Sequence, residues 1–384
     1  SQEITTSKNF NYSISKPYQV VDGKKWYISH GEEILAIKQA KKNFVLQKFS
    51  GEKLDESQRN VGELLPKTAY IEAIISMSNK ETFIFYSLWD KKNKKEQLFK
   101  RKVDFDEAKF VGKDERIIVV DGKLSGRMQG GGFMFSGLKT VDKFDFHLSL
   151  DDSKLLIKYR LKPKEKNDDL NKDIIGMFVY DSNFEEIWKD EVTMPYRESK
   201  MNNIGYTINK KGSVYMLTEV YKDNSTRKFK KNGELNIDLH LMKIESADAD
   251  IEDSKIDVEG LILTDIGFYE GQNNSIVIGG FYAKKRTKFF GPSAGAEGFY
   301  MYKLDEEGEL LANFTYEIPT EIMKQYVSKR TQKIMAKKEN KGRDIDAGSM
   351  ELRDIVFHSD GAIDLIGEKY FVTSSYNPKT GQTT

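Results

Sequence analysis

Few residues in this chain have the types and spacing that chemistry needs. Gly291-Pro-Ser-Ala-Gly295 matches the G-x-S-x-G pattern of a nucleophile elbow, where a strand turns sharply into a helix and lifts the serine into reach. Here a Pro precedes Ser293 and a strand-like run, Gly298-Phe-Tyr-Met-Tyr302, follows, so the motif reads as a loop and not as a nucleophile. Asp248, Asp250, Glu252 and Glu259 fall at positions 1, 3, 5 and 12 of an EF-hand loop. That loop turns on a Gly where this chain has Asp253, and no helical pattern flanks it, so a solvated acidic loop is expected. His30, His147, His240 and His358 are scattered, without a partner at metal-ligand spacing. Gly130-Gly-Gly132 lacks the Gly-Lys-Ser/Thr that completes a phosphate loop. Glu185-Glu186 and Glu306-Glu307 read as hairpin turns, and Trp26, Trp89 and Trp188 as sheet core. The chain has no Cys, which excludes disulfides, thiolate metal sites and Cys nucleophiles. These residues point to a non-catalytic protein without metal or cofactor.

Composition narrows the class further. The 384 residues carry 61 Lys+Arg against 60 Asp+Glu, a net charge of +1, which argues against a whole-chain nucleic-acid binder. At 38% hydrophobic and 12% aromatic residues the chain folds but keeps much polar surface. No window approaches the apolar run that a membrane-spanning helix requires. The chain opens Ser1-Gln2-Glu3-Ile4 without Met, so a processed, exported protein is expected, its signal peptide removed and no lipidated Cys present.

The elements that must position any site are β-hairpins. In Phe144–Tyr159 two β-rich runs flank an Asp-Asp-Ser turn, and the pattern recurs at Ile71–Leu88, Asn203–Tyr221, Asp265–Tyr282 and Asp354–Phe371. A second hairpin follows most of these, at Leu98–Phe110, Met177–Trp188, Leu239–Ile251 and Tyr300–Leu311, with Leu35–Phe49 as a further copy. Two hairpins per unit make four strands, and a unit recurring about every 60 residues predicts propeller blades. One such sheet cannot bury both faces alone, so neighbours must stack on it. We therefore expect an all-β propeller of about six four-stranded blades: an N-terminal extension over 1–17, one propeller domain over 18–384 with Tyr18–Asn60 as an irregular first blade, and a last blade with only its first hairpin. Tyr376–Thr384 reads as a loop tip, so residues beyond Thr384 are expected to complete that blade, ahead of N-terminal strands or a partner strand.

The last two units, Tyr302-Lys-Leu-Asp-Glu-Glu-Gly-Glu-Leu-Leu311 and Asp354-Ile-Val-Phe-His-Ser-Asp-Gly-Ala-Ile-Asp-Leu-Ile-Gly-Glu-Lys-Tyr370, resemble bacterial repeat propellers. Leu148-Ser-Leu-Asp-Asp-Ser-Lys-Leu155 resembles the turn of TolB-like blades, with Asp where Gly usually sits. The resemblance covers most of residues 60–372 and speaks to fold alone. The long Lys-rich insertions also resemble those of periplasmic propellers in bacteria with type IX secretion. That likeness implies a periplasmic or envelope-associated module that caps or plugs an outer-membrane translocon.

Binding residues on such scaffolds sit in loops. Two insertions are expected. Val111–Lys139 holds a glycine cluster with Met128, Phe133, Met134 and Phe135, an apolar contact loop for a protein partner. Pro319–Gly348 predicts a helix over Thr320–Lys338, with Thr320 as N-cap and an apolar face of Ile322, Tyr326, Val327, Ile334 and Met335. Between Lys324 and Arg343 it carries Lys324, Lys329, Arg330, Lys333, Lys337, Lys338, Lys341 and Arg343, against Glu339 as the only acid in that span. Such a helix suits an acidic protein partner or a peripheral contact with an anionic membrane. The rival class is a propeller hydrolase acting on glycans or peptides, which would need two carboxylates converging on one ligand.

Overall fold

The structure, a computed structural model, describes residues 16, 18–129, 139–163, 171–225, 227–230, 234–248, 250–258, 260–284, 295–325, 327–342, 345, 347–348, 350–369, 376–377 and 382–383. The fold is an all-β propeller in which strands follow one another as antiparallel meanders. The first blade is β1 (Lys24–His30), β2 (Glu33–Gln39), β3 (Phe44–Ser50) and β4 (Asp55–Gly62). The second is β5 (Tyr70–Ser76), β6 (Thr82–Asp90), β7 (Lys95–Asp104) and β8 (Lys109–Asp121). A small ribbon, β9 (Arg127–Gln129) with β10 (Lys139–Val141), precedes the third blade, β11 (Asp145–Leu148), β12 (Lys154–Arg160), β13 (Lys172–Asp181) and β14 (Glu186–Arg197). The fourth blade is β15 (Met201–Ile208), β16 (Val214–Tyr221), β17 (Ile237–Ile244) and β18 (Glu252–Ile256). The fifth is β19 (Ile262–Glu270), β20 (Ile276–Ala283), β21 (Gly298–Leu304) and β22 (Leu310–Glu317). Two helices follow, α1 (Thr320–Lys324) and α2 (Lys329–Glu339), and then a two-stranded hairpin, β23 (Met350–Phe357) with β24 (Ile363–Lys369). A short ribbon pairs β25 (Tyr376–Asn377) with β26 (Gln382–Thr383).

The chain divides into two compact units. One comprises Ser1–Phe146, Asp151–Lys164 and Ile174–Val192, and the other His147–Leu150, Glu165–Asp173 and Thr193–Thr384. Within the first, Leu35, Ile37, Phe44 and Leu46 of blade one pack with Ile84, Tyr86, Val103 and Phe105 of blade two. Within the second, Tyr215, Leu217, Leu239 and Leu241 of blade four pack with Ile276, Ile278, Tyr300, Tyr302 and Leu304 of blade five. The middle strands are covered on both faces, which is why β16 and β20 read as near-continuous apolar runs.

The first hairpins stand where the turn residues place them. The turn residues Lys80, Asp152, Gly212, Asn273 and Gly361 all have positive φ. Asp152, standing where the resembled turn has Gly, adopts the left-handed region at φ 53°. Three expectations need correction. Leu35–Phe49 is the second and third strands of blade one, not its closing hairpin, and that blade is a regular four-stranded sheet. Residues 111–121 belong to β8, of which Val111, Glu115, Arg116, Ile118, Val119 and Val120 pair with β7 across two register shifts. The helix over Thr320–Lys338 is two helices. Gln325 is extended at ψ 144°, and Ser328 starts the second helix by accepting a 3.1 Å bond at its side-chain oxygen from the Thr331 N–H. Thr320 lies inside α1, whose N-cap is Pro319.

Candidate functional site

The residues singled out from sequence are dispersed. Ser293 and Glu259 lie outside the described residues, as do Phe133, Met134 and Phe135; Met128 stands in β9 opposite Thr140. Glu252 opens β18, where its carboxylate lies 3.8 Å from Lys243 Nζ. Among the described residues no three His, Asp or Glu side chains converge as a metal site. His240 pairs with Asp253 at 2.7 Å, His358 with Asp364 at 2.8 Å, and His30 with Ser76 at 2.7 Å, each a local contact within or between hairpins. Trp188 is buried, whereas Trp26 and Trp89 are only partly covered.

The helix pair is placed by a small apolar cluster. Met323 of α1 and Met335 of α2 are buried with Ala347, packed by Ile318, Val327, Ile345 and Met350. Ile322 and Ile334, expected on the apolar face, are exposed. Met335 and Val327, also expected there, do pack, and the break at Gln325 brings in Met323 beside them. Lys324 is held by Glu339 at 2.6 Å, while Lys329, Arg330, Lys333, Lys337 and Lys338 face solvent. Lys337 and Lys338 complement the negative C-terminal end of the helix dipole. Lys329 and Arg330 sit at its positive end with no acidic residue in that turn, an arrangement that costs helix stability.

The more informative surface was not visible in the sequence. In β20 and β21, Ile276, Ile278, Tyr300 and Tyr302 turn toward blade four. The alternate residues, Phe281, Phe299, Met301 and Lys303, line a cleft on the opposite side. Cross-strand register puts Tyr316 opposite Phe299 and Phe314 opposite Met301 on that face. The Phe299 ring lies 5.1 Å from Tyr316 and 6.0 Å from Phe314. The hairpin β23–β24 covers only the inner part of the face: Ile355 and Leu365 seat over Gly279, and Phe281 fills the space a side chain at Gly367 would need. Beyond it an apolar cleft of about 700 Å³ remains between the outer strands of blade five and Leu365 and Ile366 of β24. Phe314 is 48% exposed, Tyr316 44% and Ile366 48%. Among the described residues β24 has no strand on its outer edge. The one local signal is β22 itself: Leu310-Leu-Ala-Asn-Phe-Thr-Tyr-Glu317 is apolar and wholly exposed, where the corresponding β18 reads Glu-Asp-Ser-Lys-Ile.

One carboxyl stands apart in the first unit. Glu72, on the bulge of β5, accepts from the Ser87 hydroxyl at 2.5 Å and from the Lys143 backbone N–H at 3.1 Å. Burial pushes its pKa up to about 7 against the pull of these donors and of the Lys143 charge. Lys143 itself is buried against Glu96 at 2.5 Å.

No protein-family model matches the chain, and no curated protein matches it in sequence. Solved structures resemble it weakly. Polysaccharide lyase Uly1 aligns over 81% of this chain and 76% of its own, at TM-score 0.40 and 8% identity. An alpha-L-arabinanase of Penicillium chrysogenum, complexed with arabinobiose, aligns over 74% and 90%, at 0.34 and 10%. The Dos1 propeller aligns over 74% and 57%, at 0.36 and 8%. Likeness this distant says nothing of activity.

Proposed function

We propose that this protein is a non-catalytic binding module that takes an extended segment of a protein partner as an added strand on β24. The observation that carries this is the outer edge of β24, on which no strand lies among the described residues, beside the exposed aromatic face of blade five. An edge strand offers a row of backbone donors and acceptors, and β-augmentation uses them for affinity while side-chain pockets add specificity. Burying half a Phe or Tyr side chain removes roughly 100 Å² from water, about 2 kcal/mol each. Phe314 and Tyr316 are therefore a substantial anchor. We further propose that the module works in the periplasm or cell envelope, capping or plugging an outer-membrane translocon. The Cys-free composition and the resemblance to bacterial repeat propellers support that placement. The test is partner retention from native envelopes. The natural protein should hold a partner that Phe314→Asp with Tyr316→Asp loses, while Tyr27→Asp on the exposed surface of β1 keeps it. Equal retention by all three proteins would overturn the proposal.

A hydrolase is the second reading, favoured by Glu72, because a carboxyl near neutral pKa suits a general acid. Its oxygens already accept bonds from Ser87 and from the backbone, which supports a structural role instead. Loss of glycan or peptide hydrolysis in Glu72→Gln would favour the enzyme.

A further inference from the structure

The cleft has two chemically different ends. Its far end is lined by Lys303 and Asp364, one charge of each sign. Its near end, at Phe281, Phe299 and Tyr316, meets the helix pair: Ile318 N–H donates to Glu297 O at 2.9 Å just past β22, and Lys369 Nζ donates to Met323 O at 3.4 Å where β24 ends. Met350, paired with Lys369, packs on the same cluster as Met323 and Met335. The helix α2, which carries the exposed cations, is thus packed at one end of the groove and not the other.

Resting on the binding function proposed above, we infer that the partner segment is acidic at its N-terminal end and then alternates apolar residues. Every described blade is an antiparallel meander. A strand added to β24 in the same sense enters at Lys369 and leaves at Ile363. Its first residues lie beside α2, and its alternate side chains lie on Met301, Phe314 and Tyr316. Three features set the chemistry: the apolar aromatic floor, an outer edge of β24 that no described strand covers, and the cation-bearing helix at the near end. Lys329 and Arg330 sharpen the third, since they burden the helix that carries them and complement an acidic ligand instead. A neutral apolar strand would use the floor and leave those charges unanswered.

Three synthetic peptides test it by fluorescence anisotropy with the full chain: acidic residues preceding alternating Val and Phe, the same core preceded by Gln, and the acidic residues placed after the core. At about 50 mM salt the first should bind about tenfold tighter than the others, or about 1.4 kcal/mol. Near 300 mM salt the gap should close as screening shortens its range. Charge reversal at Lys329, Arg330, Lys333 and Lys337 should erase the preference and leave core binding in place. Equal binding of all three peptides would overturn this inference and leave the binding function standing; no binding by any would overturn both. Preference for the trailing acids would overturn the orientation and with it the inference. A stable dimer in sedimentation that blocks the peptides would assign the groove to a second copy. Slow amide exchange along β24 in the free protein would assign it to a segment of this chain. Either result also overturns the inference.

Discussion

Glu72 makes the stability of this protein depend on pH with a sign opposite to that of most carboxylates. Its folded-state pKa is about 7, against an ordinary value of 4.5 in the unfolded chain. Between those values the unfolded state has lost its proton and the folded state still holds it, so raising pH favours unfolding. Below about 4.5 the group contributes no penalty. The penalty grows through the interval and is complete above about 7. The difference of 2.5 pKa units corresponds to about 3 kcal/mol. Glu72→Gln removes the titration. Its amide still accepts from Ser87, while its NH₂ group faces the Lys143 N–H, a loss of about 1 kcal/mol that does not vary with pH. Urea unfolding of both proteins at pH 5 and pH 8 isolates the effect, because every other titrating group cancels in the difference between them. Relative to Glu72→Gln, the natural protein should lose about 2.5 kcal/mol between the two pH values, since part of the penalty is already present at pH 5. A difference that is constant with pH would refute the assignment of a burial-raised carboxyl at this position.

Gly367→Val would drive a side chain into the Phe281 ring and should destabilise the β23–β24 hairpin by about 1–3 kcal/mol, seen as faster local hydrogen exchange there. Asp114 accepts a bidentate pair from Arg101 at 2.6 and 2.7 Å and a 2.6 Å bond from the Tyr86 hydroxyl. Asp114→Asn should therefore cost about 1.5–3 kcal/mol in denaturant unfolding. Phe314→Ser with Tyr316→Ser removes two half-buried rings that pack on Phe299, so unfolding free energy should fall by about 2 kcal/mol per ring while binding of an apolar fluorescent dye falls. Ser328→Ala removes the α2 cap and should cost about 0.5–2 kcal/mol, read as faster amide exchange in Lys329–Glu339.

The hairpins of this protein were legible because their causes are local. Alternation in Ile71–Leu88 or Asp265–Tyr282 and turn residues such as Asn273 and Gly361 act over a few positions, and the strands stand where those residues put them. The basic character of α2 was equally plain, but its boundary was not. Ser328 is an N-cap in mid-pattern, and the apolar spacing from Ile322 to Met335 concealed the extended Gln325 between two helices. The cleft left no signature beyond the apolar β22. Phe299, Met301 and Phe314 read as ordinary core residues, and only the reach of β23–β24 across blade five decides that Phe299 and Met301 line a cleft and Phe314 stays exposed. Glu72 likewise looks like a polar strand residue until the chain returns 71 residues later with Lys143. Strand period and turn chemistry are properties of neighbours in sequence. Exposure and pKa are set by what stacks on a sheet face, and in a propeller that comes from another blade, which the residues of the face do not encode.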